Sequence, residues 1–233
     1  MVPFCRTLDV RFRAVCDNHL VTDSSEASIV KILFIGSNPR VADLNELALD
    51  EEARDIENKM RAADYRDAFL FKSRWPVRPL DLQQILLEER PTVVQFSGHG
   101  AGAEGLVFHS EQADEDKTVS SQTLRDLFRD HGKGVRVVVL NACESDEQAK
   151  VLSDLLDFVV GMNDGIDDEA ARVFAAAFYR GLGFGCTVKE AFDQGVLDLK
   201  LAEFERDSEV PILLVRQGIS ADETKLAATG GGR

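Results

Sequence analysis

Zinc-site patterns, long apolar segments and an excess of positive charge are all absent from this chain of 233 residues. Its four cysteines form no CxxC pair and no zinc-binding spacing with histidine, so neither a zinc module nor a disulfide framework is expected. Charged residues interrupt every apolar stretch before it reaches membrane-spanning length, and the N-terminus lacks the apolar core of a secretory signal. We therefore expect a cytoplasmic protein that uses no metal or cofactor and does not enter a membrane.

The balance of charge is strongly acidic, with 41 Asp and Glu against 27 Lys and Arg and a net charge of −14. Nonspecific nucleic-acid binding requires clustered Lys and Arg side chains that contact phosphates, so direct binding to nucleic acid is not expected. An acidic surface is compatible with a cationic or neutral polypeptide partner, although it more often serves solubility. Hydrophobic residues make up 44% of the chain, which is ordinary for a folded domain with one sizeable core.

Apolar segments with strand character alternate with segments of helical periodicity from residue 29 onward. The predicted strands cover residues 30–35, 69–71, 92–96, 135–140, 158–161 and 210–215, and a hairpin is predicted around 106–108. Three predicted helices cover residues 43–65, residues 80–89 and a segment from Ser120 or Ser121 to Gly132. Three more are predicted to begin at a capping-box pattern at 145–148, at Asp167, and at a second capping-box pattern at 187–190. This alternation predicts an α/β three-layer sandwich, in which a mostly parallel sheet carries helices on both faces.

One domain is expected over residues 29–217. Residues 1–28 lack a clear periodicity, and we interpret them either as an edge strand around residues 10–12 or as a mobile leader. Residues 218–233 end in a glycine-rich run, and we interpret them as a flexible tail. Ligands of parallel α/β sheets bind beyond the carboxyl ends of the strands, so functional residues are expected where the strands end.

Two of the predicted strands end in reactive side chains. The strand at 92–96 runs into Ser97-Gly98-His99-Gly100, and the strand at 135–140 runs into Asn141-Ala142-Cys143-Glu144-Ser145. Consecutive strands are neighbours in about two thirds of cases, so His99 and Cys143 are expected near each other. A cysteine thiolate is a nucleophile, and a histidine can deprotonate the thiol and later protonate a leaving amine. The pattern therefore predicts thiol-protease chemistry with His99 and Cys143 as the catalytic residues.

The residues around this pair fit the same chemistry. A helix is predicted to begin just after Cys143, and the partial positive charge at a helix N-terminus favours a thiolate. The backbone N–H groups of Cys143 and Gly100 are predicted to form the oxyanion hole, because a glycine lets a substrate approach the backbone closely. The spacing reveals no third acid that would orient the histidine.

The two motifs and several neighbouring stretches resemble the CHAT family of caspase-like cysteine proteases. The other stretches that carry the resemblance are residues 34–39, 49–52, 73–79, 160–164 and 178–181. The resemblance covers about residues 29–216. It implies a caspase-like fold and an endopeptidase whose His-Cys dyad is formed by His99 and Cys143.

The resemblance also suggests how such a protease is used. Larger CHAT proteins carry repeats or sensor domains that keep the protease inactive until a signal arrives, whereas this sequence shows no helical repeat. Control is therefore expected from an activating or sensor partner, from the short N-terminal segment, from oligomerisation or from a loop of this domain. The expected substrate is a protein that is cleaved by limited proteolysis. Some members of the family act in bacterial defence, which the resemblance implies as the context.

Asp164 is a candidate for the S1 pocket, because it follows the predicted strand at 158–161 and could select a basic P1 residue. Asp164 fits a turn, or a cap for the helix after Asp167, at least equally well. Cys186 precedes a capping-box pattern, but no histidine-bearing strand end accompanies it, so we interpret Cys186 as structural.

Two other functions stay open on the sequence alone. The first is a catalytically silent caspase-like scaffold that acts by binding a partner. The second is a flavodoxin-like or Rossmann-type binding domain that has cysteine and histidine at strand ends by coincidence. Cys143 taken alone is more often a small buried apolar residue than a nucleophile, and the favoured function depends on its combination with His99.

Overall fold

The computed structural model describes residues 29–38, 46–110 and 116–227. Its strands are β1 (Val30–Ser37), β2 (Phe69–Arg74), β3 (Val93–Gly98), β4 (Leu106–Phe108), β5 (Lys117–Val119), β6 (Val137–Asn141), β7 (Phe158–Met162) and β8 (Pro211–Val215). Its helices are α1 (Leu49–Arg61), α2 (Leu82–Glu89), α3 (Ser121–His131), α4 (Asp146–Leu152), α5 (Asp168–Gly183) and α6 (Val188–Leu201). Within these ranges, no helix combines the length and the apolar character needed to cross a bilayer.

Six strands form the central sheet, in the order β2-β1-β3-β6-β7-β8. Neighbouring strands from β2 to β7 run parallel, and β8 pairs antiparallel with β7. The strands β4 and β5 form a separate antiparallel hairpin, as predicted. The mostly parallel sheet predicted from the sequence is therefore confirmed.

Helices cover both faces of this sheet and divide the core in two. One face packs against α1, α5 and α6, where Ile56, Phe174 and Leu199 are deeply buried. The opposite face packs against α2, α3 and α4, where Leu86 and Leu152 are deeply buried. The central strands β3 and β6 are buried along their whole length, which explains their nearly continuous apolar sequences. The predicted three-layer sandwich is confirmed.

The first helix begins later than the sequence predicts. It starts at Leu49 rather than at residue 43, and residues 43–45 lie outside the described part of the chain. The segment before it is tied to the end of β1, because the side-chain amide of Asn38 donates to Leu47 O (3.0 Å) and accepts from Leu47 N (3.3 Å). These bonds hold Leu47 outside the helix, just before α1 begins.

Side-chain caps define the starts of three other helices where the sequence predicts them. Ser120 accepts from Thr123 N at the start of α3, and Asp167 accepts from Glu169 N at the start of α5. Thr187 forms the predicted capping box at the start of α6. The local signals for these three helix starts are therefore confirmed.

The capping box predicted at residues 145–148 is wrong. The hydroxyl of Ser145 is buried between two strand ends, where it donates to Leu140 O (3.0 Å) and accepts from Met162 N (3.0 Å). Gln148 instead donates from Nε2 to Gly102 O (2.8 Å). Both side chains are used in tertiary contacts, because the start of α4 is enclosed by β6, β7 and the loop after β3.

Residues 218–227, which the sequence analysis assigned to the tail, pack against the start of α6. Val188 N donates to Thr224 O (2.9 Å), and Lys189 N donates to Ala221 O (3.1 Å). The side chains of Ala221 and Leu226 are buried. The folded domain therefore continues past residue 217. Residues 228–233 and the predicted N-terminal segment at 1–28 lie outside the described residues.

Candidate active site

The strands that carry the two predicted catalytic residues are direct neighbours in the sheet. They pair in parallel, and Ser97 of β3 is in register with Asn141 of β6. His99 and Cys143 each follow two residues after this pair, so the register places them at the same level beyond the carboxyl ends of the strands. The structure thus brings together the two segments that the sequence analysis paired.

The backbone after His99 lies directly against the backbone of Cys143. A Cβ atom on Gly100 would overlap the carbonyl oxygen of Cys143 and would lie 3.3 Å from the Cys143 nitrogen. Glycine is the residue that permits such an approach, since it has no Cβ. The sequence analysis attributed this glycine to the approach of a substrate, whereas in the structure the cysteine segment itself occupies the space.

The loop after β3 is held by contacts from β4 and α4. The carbonyl oxygen of His99 accepts from Val107 N (3.0 Å), and the carbonyl oxygen of Gly102 accepts from Gln148 Nε2 (2.8 Å). His99 and Cys143 are both half-buried, so each is partly open to solvent. The site is therefore accessible at the surface, and the backbone that surrounds it is well supported.

The segment of Cys143 turns sharply and contacts the loop after β7. The thiol donates to Ile166 O, with a distance of 3.8 Å from Sγ to oxygen. The next residue, Glu144, has a positive φ of 51°, and its N–H donates to Asp164 O (3.2 Å). The side chain of Asp164 is exposed, and its Oδ1 accepts from Gly165 N (2.7 Å). Asp164 therefore lies in a turn beside the cysteine segment.

A buried carboxyl group, which the sequence analysis missed, lies beneath these strand ends. Glu52, in the first turn of α1, is 3% exposed. Its Oε1 accepts from Ser97 Oγ (2.7 Å) and from Asn141 Nδ2 (2.8 Å). The same oxygen accepts from Gln95 Nε2 (3.0 Å), while Tyr179 OH donates to Gln95 Oε1 (3.1 Å). These five side chains, which we call the Glu52 network, join α1 and α5 to β3 and β6.

Burial is the dominant influence on the charge of this network. Desolvation of the charged form raises the pKa of Glu52 from 4.5 to about 7, while the hydrogen bonds from Ser97 and Asn141 act in the opposite direction. The charge of Asp168 adds to the rise. Burial also raises the pKa of Tyr179 well above its ordinary value of 10, with a further contribution from Glu52. Near neutral pH, Glu52 therefore populates both protonation states.

The sequence does contain a signal for Glu52. Leu49, Ala53, Ile56 and Met60 form the buried stripe of α1. Glu52 follows Leu49 by three residues and precedes Ile56 by four, so helical periodicity places it on the same face. A carboxyl group on a buried face requires hydrogen-bonding partners. Because those partners come from distant strands, the sequence pattern alone does not identify them.

Other groups in the described part of the chain offer less chemistry. The thiol sulfur of Cys186 accepts from Gln194 Nε2 (3.2 Å), which agrees with a structural role. Across the described segments, no group of three or more His, Cys, Asp and Glu side chains is arranged to hold a metal ion. The reactive and buried polar groups therefore concentrate where β3 and β6 end.

The sheet order and the helices on both faces define a caspase-like fold. The crystal structure of caspase-1 from Spodoptera frugiperda is similar, with a TM-score of 0.51 and 10% identity, over 83% of this chain and 88% of that chain. The structure of pro-Sf-caspase-1 has the same TM-score and identity, over 93% of that chain. At this level of identity the likeness shows the fold, and the predicted caspase-like fold is confirmed.

The family follows from the sequence comparison, in which the CHAT domain matches residues 12–204. The chain belongs to the CHAT family, as its motifs predicted. It is 30% identical to a Roc-COR-CHAT protease from an unknown prokaryotic organism. The aligned stretch of 169 residues makes up 69% of this chain and 15% of that protein. It is 26% identical to a probable protease from Gillisia limnaea. The aligned stretch of 157 residues makes up 65% of this chain and 27% of that protein. The chain thus spans about a sixth to a quarter of these relatives. Both of these relatives are named as proteases.

Proposed function

We propose that this chain is a cysteine endopeptidase with His99 and Cys143 as its catalytic dyad. The observation that carries the proposal is the register of β3 and β6, together with the contact between the backbones of Gly100 and Cys143. Relatives named as proteases support the same class of reaction. The biological setting that we propose is limited proteolysis of a protein substrate in the cytoplasm, within a bacterial regulatory or defence system controlled by an activating or sensor partner.

The proposed reaction begins when His99 accepts the proton of the Cys143 thiol. The thiolate sulfur attacks the carbonyl carbon of the scissile peptide, and the carbonyl electron pair moves to the oxygen. The N–H groups of Gly100 and Cys143 stabilise the negative oxygen. The C–N bond then breaks as His99 gives its proton to the leaving amine. Water attacks the resulting thioester with His99 as base, which releases the carboxylate product and restores the thiol.

Selective alkylation tests the dyad without knowledge of the natural substrate. The native protein is treated with limiting iodoacetamide or a peptidyl electrophile, and the modified residue is located by mass spectrometry. Preferential modification of Cys143 is expected, and His99→Ala should slow it. In an internally quenched peptide library, Cys143→Ala should abolish cleavage and His99→Ala should lower it by about 100-fold or more.

The matched control is Cys186→Ala, which removes the other described half-buried thiol and should leave both readouts unchanged. Cleavage that survives Cys143→Ala would contradict the proposal. A native protein in which Cys143 is modified no faster than Cys186, and which cleaves no peptide, would instead indicate a silent scaffold.

We propose in addition that Asp164 contributes to the S1 pocket and favours a basic P1 residue. The support is that the carboxylate of Asp164 is exposed and that Asp164 lies next to the cysteine segment, because the N–H of Glu144 donates to the carbonyl oxygen of Asp164. A carboxylate at this place can form a charge-assisted hydrogen bond with a lysine or arginine side chain. The turn contacts of Asp164 described above are compatible with this role, since they use its carbonyl oxygen and one carboxylate oxygen.

Profiling the P1 position with the peptide library tests this pocket. Wild type should prefer lysine or arginine at P1, and Asp164→Ala should reduce that preference by about tenfold. Asp154→Ala serves as the control, because Asp154 is an exposed aspartate beyond α4. A preference for small or acidic P1 residues that Asp164→Ala does not change would contradict this role.

A further inference from the structure

The Glu52 network occupies a place in the sheet where apolar side chains would otherwise continue the core. Along the pairing of β3 with β6, Val93 faces Val137 in register at the beginning of the strands. Polar residues enter at Gln95 in the middle of β3, which is in register with Val139, and occupy both strands toward the carboxyl ends, where Ser97 is in register with Asn141. Burial of polar groups in a core costs free energy unless hydrogen bonds compensate it. The polar change therefore coincides with the approach to the proposed site.

One oxygen atom of Glu52 links the two strands that lead to the site. Its Oε1 accepts from Ser97, which is two residues before His99, and from Asn141, which is two residues before Cys143. The carboxyl group itself is carried by α1, which packs across this face of the sheet. A single acceptor thus constrains both strand ends against one helix.

We propose that Glu52 is a positioning residue, which sets the placement of His99 relative to Cys143 through its hydrogen bonds to Ser97 and Asn141. This inference rests on the proposed function, because it assumes that these two residues react together. A displacement of reacting groups by about 1 Å can lower the rate by about 100-fold, so a constraint on both strand ends has a direct effect on catalysis.

The charge of Glu52 gives this role a signature that packing alone lacks. Burial raises the pKa of Glu52 to about 7, so its carboxyl group changes charge near neutral pH, whereas the Glu52→Gln variant cannot ionise there. Asp168 of α5 adds to the raised pKa of Glu52, and Glu52 in turn adds to the raised pKa of Tyr179 on the same helix. Neither Asp168 nor Tyr179 is altered in the variants below, so their effects are shared by wild type and variants.

Three substitutions separate positioning from packing. Glu52→Gln retains the shape and an acceptor oxygen but cannot ionise, whereas Glu52→Ala removes the acceptor. Glu89→Gln is the matched control, because Glu89 is another buried carboxylate. It is carried by α2 on the opposite face of the sheet, and it pairs with Lys72 and Arg74 of β2. The readouts are the iodoacetamide rate constant of Cys143 between pH 5.5 and 9, and kcat and KM for a cleaved library peptide.

Glu52→Ala should lower kcat by about tenfold or more with little change in KM, since it disturbs the reacting groups and not the peptide-binding surface. Glu52→Gln should recover most of this loss. Its alkylation rate should also lack the component near pH 7 that ionisation of Glu52 contributes in wild type. Glu89→Gln should leave kcat and the profile as in wild type.

Wild-type rates and an unchanged profile in both Glu52 variants would overturn the positioning role, while a loss of cleavage in Cys143→Ala would still uphold the proposed function. Conversely, a wild-type protein without selective alkylation of Cys143 and without peptide cleavage would overturn the proposed function and this inference with it.

If circular dichroism shows that Glu52→Ala does not fold, Ser97→Ala is measured in its place. That variant removes one donor and should lower kcat by about threefold to tenfold, and an unchanged kcat would again overturn the role.

Discussion

Replacing Glu52 with glutamine is expected to change how the stability of the domain depends on pH. Burial raises the pKa of Glu52 to about 7 in the folded chain, against an ordinary value of 4.5 that applies when the chain is unfolded. The folded state therefore binds the proton more tightly than the unfolded state does. The resulting stabilisation is fully present below about pH 4.5 and is lost as the pH rises through about 7.

The size of this effect follows from the two pKa values. Between pH 5 and pH 8, the contribution of Glu52 to the free energy of unfolding should fall by about 2–3 kcal/mol. Glu52→Gln has no proton to lose, so it should lack this decline. All other titrating groups are common to the two proteins, and their effects cancel when the variant is compared with wild type at each pH.

Urea unfolding followed by circular dichroism at pH 5 and at pH 8 measures the effect. The free energy of unfolding of Glu52→Gln minus that of wild type should be larger at pH 8 than at pH 5 by about 2–3 kcal/mol. Glu89→Gln is the control for loss of a buried carboxylate, and it should lower stability because it breaks the ion pairs to Lys72 and Arg74. If the wild-type and Glu52→Gln values change in parallel between the two pH values, the argument about burial is refuted.

Two further substitutions test the backbone around the site. Gly100→Ala should destabilise the domain by about 1–3 kcal/mol, because its Cβ would overlap the carbonyl oxygen of Cys143, and it should slow alkylation of Cys143. Gly165→Ala is its control in the same unfolding assay, because a Cβ at this position would meet no atom within 4 Å. Equal losses of unfolding free energy in the two variants would contradict the steric argument. Ser145→Ala should cost about 1–3 kcal/mol, because the buried Met162 N–H loses its acceptor, and an unchanged urea midpoint would show that this hydrogen bond adds little.

The fold was largely predictable because its signals are local. Apolar runs that alternate with helical periodicity predicted the sheet and its covering helices, and Thr187 and Asp167 marked helix starts through caps a few residues long. The prediction was wrong at Ser145, where the same local pattern is present but the hydroxyl binds Met162 N of a neighbouring strand. Capping rules describe a helix start in isolation, and a buried start offers the side chain other partners.

The candidate site was predictable to the extent that chain order predicts neighbouring strands. His99 and Cys143 follow two central strands, and the structure confirms that these strands pair in register. The sequence did not reveal that the missing side chain of Gly100 makes room for the backbone of Cys143. Glu52 was missed because its hydrogen-bonding partners are more than 40 residues away along the chain.

By itself, the sequence determined the α/β class, the CHAT resemblance and the two reactive residues at strand ends, because periodicity and short motifs are properties of neighbouring residues. Only the tertiary structure decided which side chains lie beneath that pair. It placed the carboxyl group of α1 under the ends of β3 and β6, where exclusion of water raises the pKa of Glu52 and concentrates hydrogen bonds on one oxygen. Burial and distant contacts arise only when the chain is folded, which is the physical reason for this division.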